Sequence, residues 1–201
     1  MQVRTVTDAV DTDVFTANVF LAPAGPTLID AGAAPEIVPH LRETVDELDA
    51  IVVTHSHGDH VAVLDDLLAA FDADCYAAAA LPGRTRAVAD GDTVPIGDES
   101  CTAIATPGHA DDHLAFVSER VLFSGDVVVY EDDAFSGGSF GRTDRPGQSR
   151  ERLIESLTDL LGRLPATVDT IYPGHGPAFE GDVRAVIERA RERAKRREPK
   201  Y

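Results

Sequence analysis

Apolar positions recur along the chain with two periods, and the alternation between them lays out the elements. Residues 13–30 carry two short runs, Val14 to Leu21 and Thr27 to Asp30, around the turn-forming Pro23-Ala24-Gly25-Pro26, which predicts an opening β-hairpin. Ile37, Val38, Leu41, Val45 and Leu48 return at helical spacing behind Pro35, whose fixed φ suits a first helical turn. His40 lies off that face and is expected at the surface. Ile51 to Thr54 reads as a buried strand. A second amphipathic helix follows, with Val63, Leu64, Leu67, Leu68 and Phe71 on its inner face and Asp59 where an N-cap belongs.

Further on, strands are expected at about Asp74 to Ala77, Thr93 to Pro95 and Cys101 to Thr106, separated by polar or Pro/Gly breaks. Leu114 to Val117 and Val121 to Phe123 predict a hairpin turning at Ser118-Glu119-Arg120. After a glycine-rich loop, Leu153, Ile154, Leu157, Leu160, Leu161 and Leu164 predict another helix, Thr170-Ile171-Tyr172 a strand, and Val183, Val186 and Ile187 the start of a last helix. There is no repeat and no low-complexity linker. The 201 residues suit one domain, 1–201, with a basic terminal helix at about 182–198.

Charge changes the picture of the surface. The formal net charge is −17, from 23 Asp and 12 Glu against 16 Arg and only two Lys, Lys195 and Lys200. Such a field repels nucleic acid and anionic membranes, so neither is an expected partner. The Asp excess also suits concentrated salt, which screens self-repulsion, and a halophilic protein is expected. Between Asp182 and Lys200, eight basic side chains outnumber four acidic ones, so residues 1–181 carry −21. This terminal stretch is expected to be a solvated helix lying against an acidic body. No basic segment with an apolar run opens the chain, and no stretch approaches 18 apolar residues. A soluble, cytoplasmic protein is the expectation. Cys75 and Cys101 lie in separate apolar segments without CxxC spacing and are expected as buried free thiols.

The chemistry concentrates in Thr54-His55-Ser56-His57-Gly58-Asp59-His60. His55, His57, Asp59 and His60 are four potential ligands within six residues, and imidazole nitrogen with carboxylate oxygen suits a borderline divalent cation such as zinc. Three imidazoles so close would repel one another on protonation without a metal. His55, His109, Asp126 and His175 each stand just beyond the C-terminal end of an apolar run, three of them directly after a glycine-containing turn. Strand ends can converge on one rim, and glycine lets the backbone come close there. Five His and two Asp are enough for two metal ions bridged by one carboxylate. His113 is expected in a hydrogen-bonding structural role.

The pattern His-x-His-x-Asp-His, followed by an isolated His, an isolated Asp and a last His, resembles the metallo-β-lactamase superfamily over essentially the whole chain. That resemblance implies an α/β fold, an αβ/βα sandwich of two mixed β-sheets flanked by helices, with the metals at one rim. It makes His55, His57 and His109 ligands of one ion and Asp59, His60 and His175 ligands of the second, with Asp126 bridging. Asn18-Val19-Phe20-Leu21, Leu28-Ile29-Asp30, Gly141-Arg142-Thr143-Asp144 and Tyr172-Pro173-Gly174-His175-Gly176-Pro177 look most like the glyoxalase II-like thioester hydrolases. Full-length members carry a C-terminal helical domain that supplies most glutathione contacts, whereas only about 20 residues follow Gly181 here.

The likeness implies a metallohydrolase of a small 2-hydroxyacyl thioester. A dimetal site lowers the pKa of a bridging water towards neutrality and polarises the carbonyl. Asp59 would orient the attacking oxygen, and Arg142 would clamp an acidic substrate end or pair with Asp144. Zinc is the expected metal, with iron or manganese as alternatives, and a homodimer is compatible with the sequence. The alternative chemistry is an iron-dependent persulfide dioxygenase, which a facial triad of His55, His109 and Asp126 would serve. Phosphodiester cleavage ranks lower, because the acidic surface lacks a basic arm.

Overall fold

In the computed structural model, which describes residues 1–198, the chain folds into two six-stranded sheets packed face to face, with helices on their outer sides. The first sheet takes the first six strands in chain order: β1 (Arg4–Thr5), β2 (Phe20–Ala22), β3 (Thr27–Ile29), β4 (Ala50–Val52), β5 (Asp74–Ala77) and β6 (Arg86–Ala87). Strands β1 to β3 pair antiparallel, and β3 to β6 pair parallel. The second sheet contains β7 (Thr93–Ile96), β8 (Glu99–Ala105), β9 (Leu114–Val117) and β10 (Val121–Gly125) in a meander, continued by β13 (Thr170–Pro173) and β14 (Phe179–Glu180). Its β10–β13 pair is parallel and the rest antiparallel, so both sheets are mixed. Between β10 and β13 the chain inserts a two-stranded ribbon, β11 (Val129–Glu131) and β12 (Ser136–Ser139).

The strand periodicity explains the layers. Phe20, Ile29, Val52, Val94, Ile96, Ala103, Phe116 and Phe123 fill the space between the sheets, while alternate residues such as Leu28, Ile51 and Cys75 face α1 (Ile37–Thr44) and α3 (Leu64–Ala70). On the other side α4 (Arg150–Arg163) and α5 (Val183–Lys195) bury Leu153, Leu157, Leu160, Val186 and Ile187 against the second sheet. Ser149 caps α4 by accepting from the Arg152 amide and Asp182 caps α5 by accepting from the Ala185 amide, each worth about 1 kcal/mol. Cys75 and Cys101 are buried free thiols, and burial pushes Cys101 up to about 12. Among the described residues no helix is long and apolar enough to cross a membrane.

Three local expectations change. Of the predicted Val14-to-Leu21 strand only Phe20 and Leu21 are strand, in β2, which runs on to Ala22, because the amides of Ala17 and Asn18 go to the carbonyls of Asp59 and Gly174 instead of a ladder. Helix α1 starts at Ile37, with Pro39 in its first turn, and ends at Thr44, leaving Val45 extended and Leu48 buried outside it. Asp59 does not cap the next helix. His57 holds that position, and Asp59 lies inside the first turn of the short α2 (Gly58–Val61), which is separate from α3.

Helix α5 lies on the body as expected, but most of its contacts are not with acidic side chains. The Arg184 guanidinium donates to the Leu161 and Leu164 carbonyls at the end of α4, and those of Arg189 and Arg193 donate to the carbonyls of Gly137, Ser136 and Gly138 in the β11–β12 ribbon. Its basic charge thus satisfies main-chain acceptors, at a helix end and at a ribbon, that would otherwise need water.

Candidate metal centre

The same edge of both sheets delivers the candidate ligands. His55 follows β4, His109 follows β8, Asp126 follows β10 and His175 follows β13, while His57, Asp59 and His60 lie at or in α2. All seven come together. Their ligand atoms form the overlapping groups His55–His57–His109, His55–His60–Asp126 and Asp59–His60–His175, in each of which the atoms lie within 4.8 Å of one another. His57, Asp59, His109, Asp126 and His175 line one side of an open cleft of about 780 Å³, with His55 and His60 buried behind them; its other walls include Phe15, Val129, Glu131, Phe140, Arg142 and Gln148.

Glycine makes the approach possible. A Cβ on Gly174 would stand 2.3 Å from Asp126 Oδ1 and 2.8 Å from His60 Cε1; one on Gly141 would stand 2.3 Å from the Asp126 carbonyl and 2.7 Å from His109 Nδ1. Neither contact is one that a real side chain can make.

The outer nitrogens fix which ring atom faces the centre. The Nδ1 of His60 donates to Asp30 Oδ2 at 2.7 Å, and that of His109 donates to the Arg142 carbonyl at 2.9 Å, since neither oxygen has a proton to give. The Thr54 hydroxyl donates to Asp30 Oδ2 at 2.8 Å and therefore accepts from His55 Nδ1 at 3.1 Å. In all three rings Nε2 is the atom that faces the centre, able to offer its lone pair to a cation once the ring is neutral. His57 Nδ1 lies 3.1 Å from His55 Nε2 and 2.8 Å from His109 Nε2, and its single proton can serve only one of them. His60 Nε2 and Asp126 Oδ1 are buried with no hydrogen-bond partner among the described residues, at 3.6 Å from each other. Converging lone pairs and two orphaned buried atoms, one nitrogen and one carboxylate oxygen, are the donor set that a divalent cation satisfies.

The carboxylates control the local protonation. Burial alone would raise Asp126, yet the imidazoles of His60, His175 and His109 hold its carboxyl well below the usual range. Burial depresses His55 and His109. It works against His60 too, but Asp30 and Asp126 outweigh it and pull that ring well above the ordinary histidine value. His175 is also raised against its burial, chiefly by donating to Asp59 Oδ2 at 2.9 Å.

Two supporting residues carry no role in the sequence reading. Asp30, 2 % exposed with φ at 59°, accepts from the Thr54 amide, the Thr54 hydroxyl and His60. Thr54 passes that charge on to His55. The available signal was a lone acidic residue closing the apolar run Thr27–Ile29, immediately before glycine-containing sequence. His113 is hydrogen-bonded as expected: its Nε2 accepts from the Asp126 amide at 2.9 Å and its Nδ1 faces Thr106 Oγ1 at 2.7 Å, so it holds the Asp126 main chain in place. Arg142 lines the cleft, and its guanidinium grips Asp144 through contacts of 2.9 and 2.8 Å.

The sequence matches the family described as the Metallo-beta-lactamase superfamily over residues 12–81 and 75–175. The chain belongs to this superfamily. Within the metallo-beta-lactamase superfamily it is 43% identical over 140 residues to a hydroxyacylglutathione hydrolase of Francisella philomiragia, covering 67% of this chain and 52% of that protein. It is 33% identical over 153 residues to the hydroxyacylglutathione hydrolase of Aliivibrio fischeri, covering 74% of this chain and 56% of that one. The chain thus spans about half the length of the curated relatives it matches. Among solved structures it is similar to TTHA1623 in a di-iron-bound form, at TM-score 0.68 and 28% identity over 90% of this chain and 96% of the other. ETHE1 from Myxococcus xanthus shares the fold at TM-score 0.75, 24% identity, 96% of this chain and 84% of the other.

Proposed function

We propose that the cleft holds two divalent cations and hydrolyses a small 2-hydroxyacyl thioester to a 2-hydroxy acid and a thiol. Supporting the second cation is the Asp59–His60–His175 group, whose orphaned His60 Nε2 has no use in a centre built on His55, His57 and His109 alone. The hydroxyacylglutathione hydrolases among its relatives and the di-iron form of TTHA1623 support the same reading. In it Asp126 is shared between the cations, its two oxygens lying 3.6 Å from His60 Nε2 and 3.4 Å from His109 Nε2. When bound, two such cations supply Lewis acidity to a carbonyl, a water of lowered pKa and a soft acceptor for a leaving thiolate.

The chain's own residues do the rest. Asp59, half-buried at the cleft wall and held below the usual carboxylate range, would orient the attacking water with an oxygen that it does not give to a cation. Arg142, exposed beside Asp144, meets an anionic end of the substrate by exchanging one carboxylate for another. Zinc fits the mixed nitrogen and oxygen set, with iron and manganese as alternatives. We also propose a single soluble domain without nucleic-acid or membrane partners, working in the cytoplasm at high salt. The melting temperature should therefore climb from dilute buffer to molar KCl as screening relieves the −21 on residues 1–181; a flat profile rejects the halophilic part.

Persulfide dioxygenation is the second reading, favoured by the Gly141-to-Asp144 segment. A lactoyl thioester of a small thiol and glutathione persulfide, supplied separately at high salt, separate the two. Release of free thiol from the first is expected. Oxygen uptake with the second, at one iron per chain and without thiol release from the thioester, overturns the hydrolase.

A further inference from the structure

Residues 15–18 take no part in that chemistry, yet they lie across the exposed edge of the centre. Asn18 Nδ2 donates to the Pro173 carbonyl at 2.9 Å and to the Gly176 carbonyl at 2.8 Å, while the Asn18 amide donates to the Gly174 carbonyl at 2.7 Å. One asparagine thus grips the main chain on both sides of His175. The neighbouring Ala17 amide donates to the Asp59 carbonyl at 3.0 Å. Phe15 completes the segment. Its ring is 75% exposed, yet it lies stacked on the His175 imidazole at 5.1 Å between centroids and 17° between planes.

The need for such a device shows in the hydrogen bonds. His55, His60 and His109 each have Nδ1 held by an oxygen of the protein, which orients the ring and fixes its tautomer. Among the described residues none engages Nδ1 of His175. Its ring is oriented instead by the aromatic stack and by the fixed main chain around it.

We infer that the Phe15–Asn18 strap is the positioning element for the second cation, tying two of its proposed ligands, Asp59 and His175, to one segment. This rests on the two-cation reading above. Asparagine suits the task because its amide nitrogen has two protons for two carbonyls, whereas an aspartate there would set oxygen against oxygen. The strap sets the affinity of the second cation and leaves that of the first unchanged, since none of its bonds reaches His55, His57 or His109.

The test titrates metal-stripped full chain with Zn(II) or Co(II) alone, counting ions per chain and following the cobalt absorption bands. Wild type should bind two ions. Asn18→Ala should keep the first at wild-type affinity and loosen the second by about tenfold or more, the loss expected when a ligand's supporting contacts go. Phe15→Ala should loosen the second a few-fold, with Phe15→Tyr restoring it. Phe15 is exposed, so its removal leaves no cavity, and this variant serves if Asn18→Ala does not fold. Wild-type affinity for both ions in Asn18→Ala and Phe15→Ala overturns the inference, and so does equal loosening of both. A wild type that binds one ion defeats the two-cation reading itself, and the strap with it.

Discussion

The two halves of the proposed centre use the same ligand chemistry but differ in how their residues are held. His55 and His109, 1 % and 6 % exposed, lie in the segments that follow β4 and β8 and are oriented by the Thr54 hydroxyl and the Arg142 carbonyl. Asp59 and His175 are only half-buried, belong to a short helix and a loop, and are braced from outside by a segment with no regular structure. The deep pair of the first half takes its geometry from buried hydrogen bonds, so disturbing it means disturbing the core. The second half borrows its geometry from loop contacts, which can change without cost to folding. His60, buried and bonded to Asp30, is the one member of the second half built like the first.

The contrast can be broken at the residue the halves share. Asp126→Ala should lose both ions together, and with them on the order of 10³-fold or more in rate, because several kcal/mol of charge stabilisation go at once. Metal analysis that finds both ions still bound rejects the shared role. A smaller effect sharpens the contrast. Asp30 feeds both halves, His60 directly and His55 through Thr54. Asp30→Asn tolerates the left-handed backbone at φ 59° but weakens the charge on both paths, so each ion should bind roughly 10- to 100-fold more weakly. Thr54→Val cuts only the His55 branch and should loosen the first ion alone. Equal effects of the two substitutions on both ions, measured by competition with a chelator dye, contradict the branching.

Much of this was legible in sequence. Helical period marks α4 and α5, alternation marks β5, and continuous apolar runs mark the β9–β10 hairpin, whose strands are buried on both faces. The convergence of the candidate ligands was legible for a related reason: a His or Asp just beyond an apolar run lies near a strand end whatever the sheet order. The 14–19 segment misled because Val14 and Phe15 look like strand residues, whereas they stay exposed, at 44% and 75%, to serve a neighbouring loop. Likewise Asp59 has the local chemistry of a cap, but the helix begins one residue earlier than that reading requires, with His57 at the cap, and Asp59 meets His175, 116 residues away.

By itself the sequence determined the element types, the layer each apolar face would seek, and the ligand inventory with its glycine spacers, because all of these follow from local spacing and side-chain chemistry. Tertiary structure decided which strand ends meet. That choice turned Asp30 into the acceptor for His60, Asn18 into a clamp on the His175 loop, and the arginines of α5 into donors for a ribbon more than 50 residues away. Each is a bond between residues distant in sequence. Its partner is set by how the two sheets pack and by the demand that every buried polar atom find one.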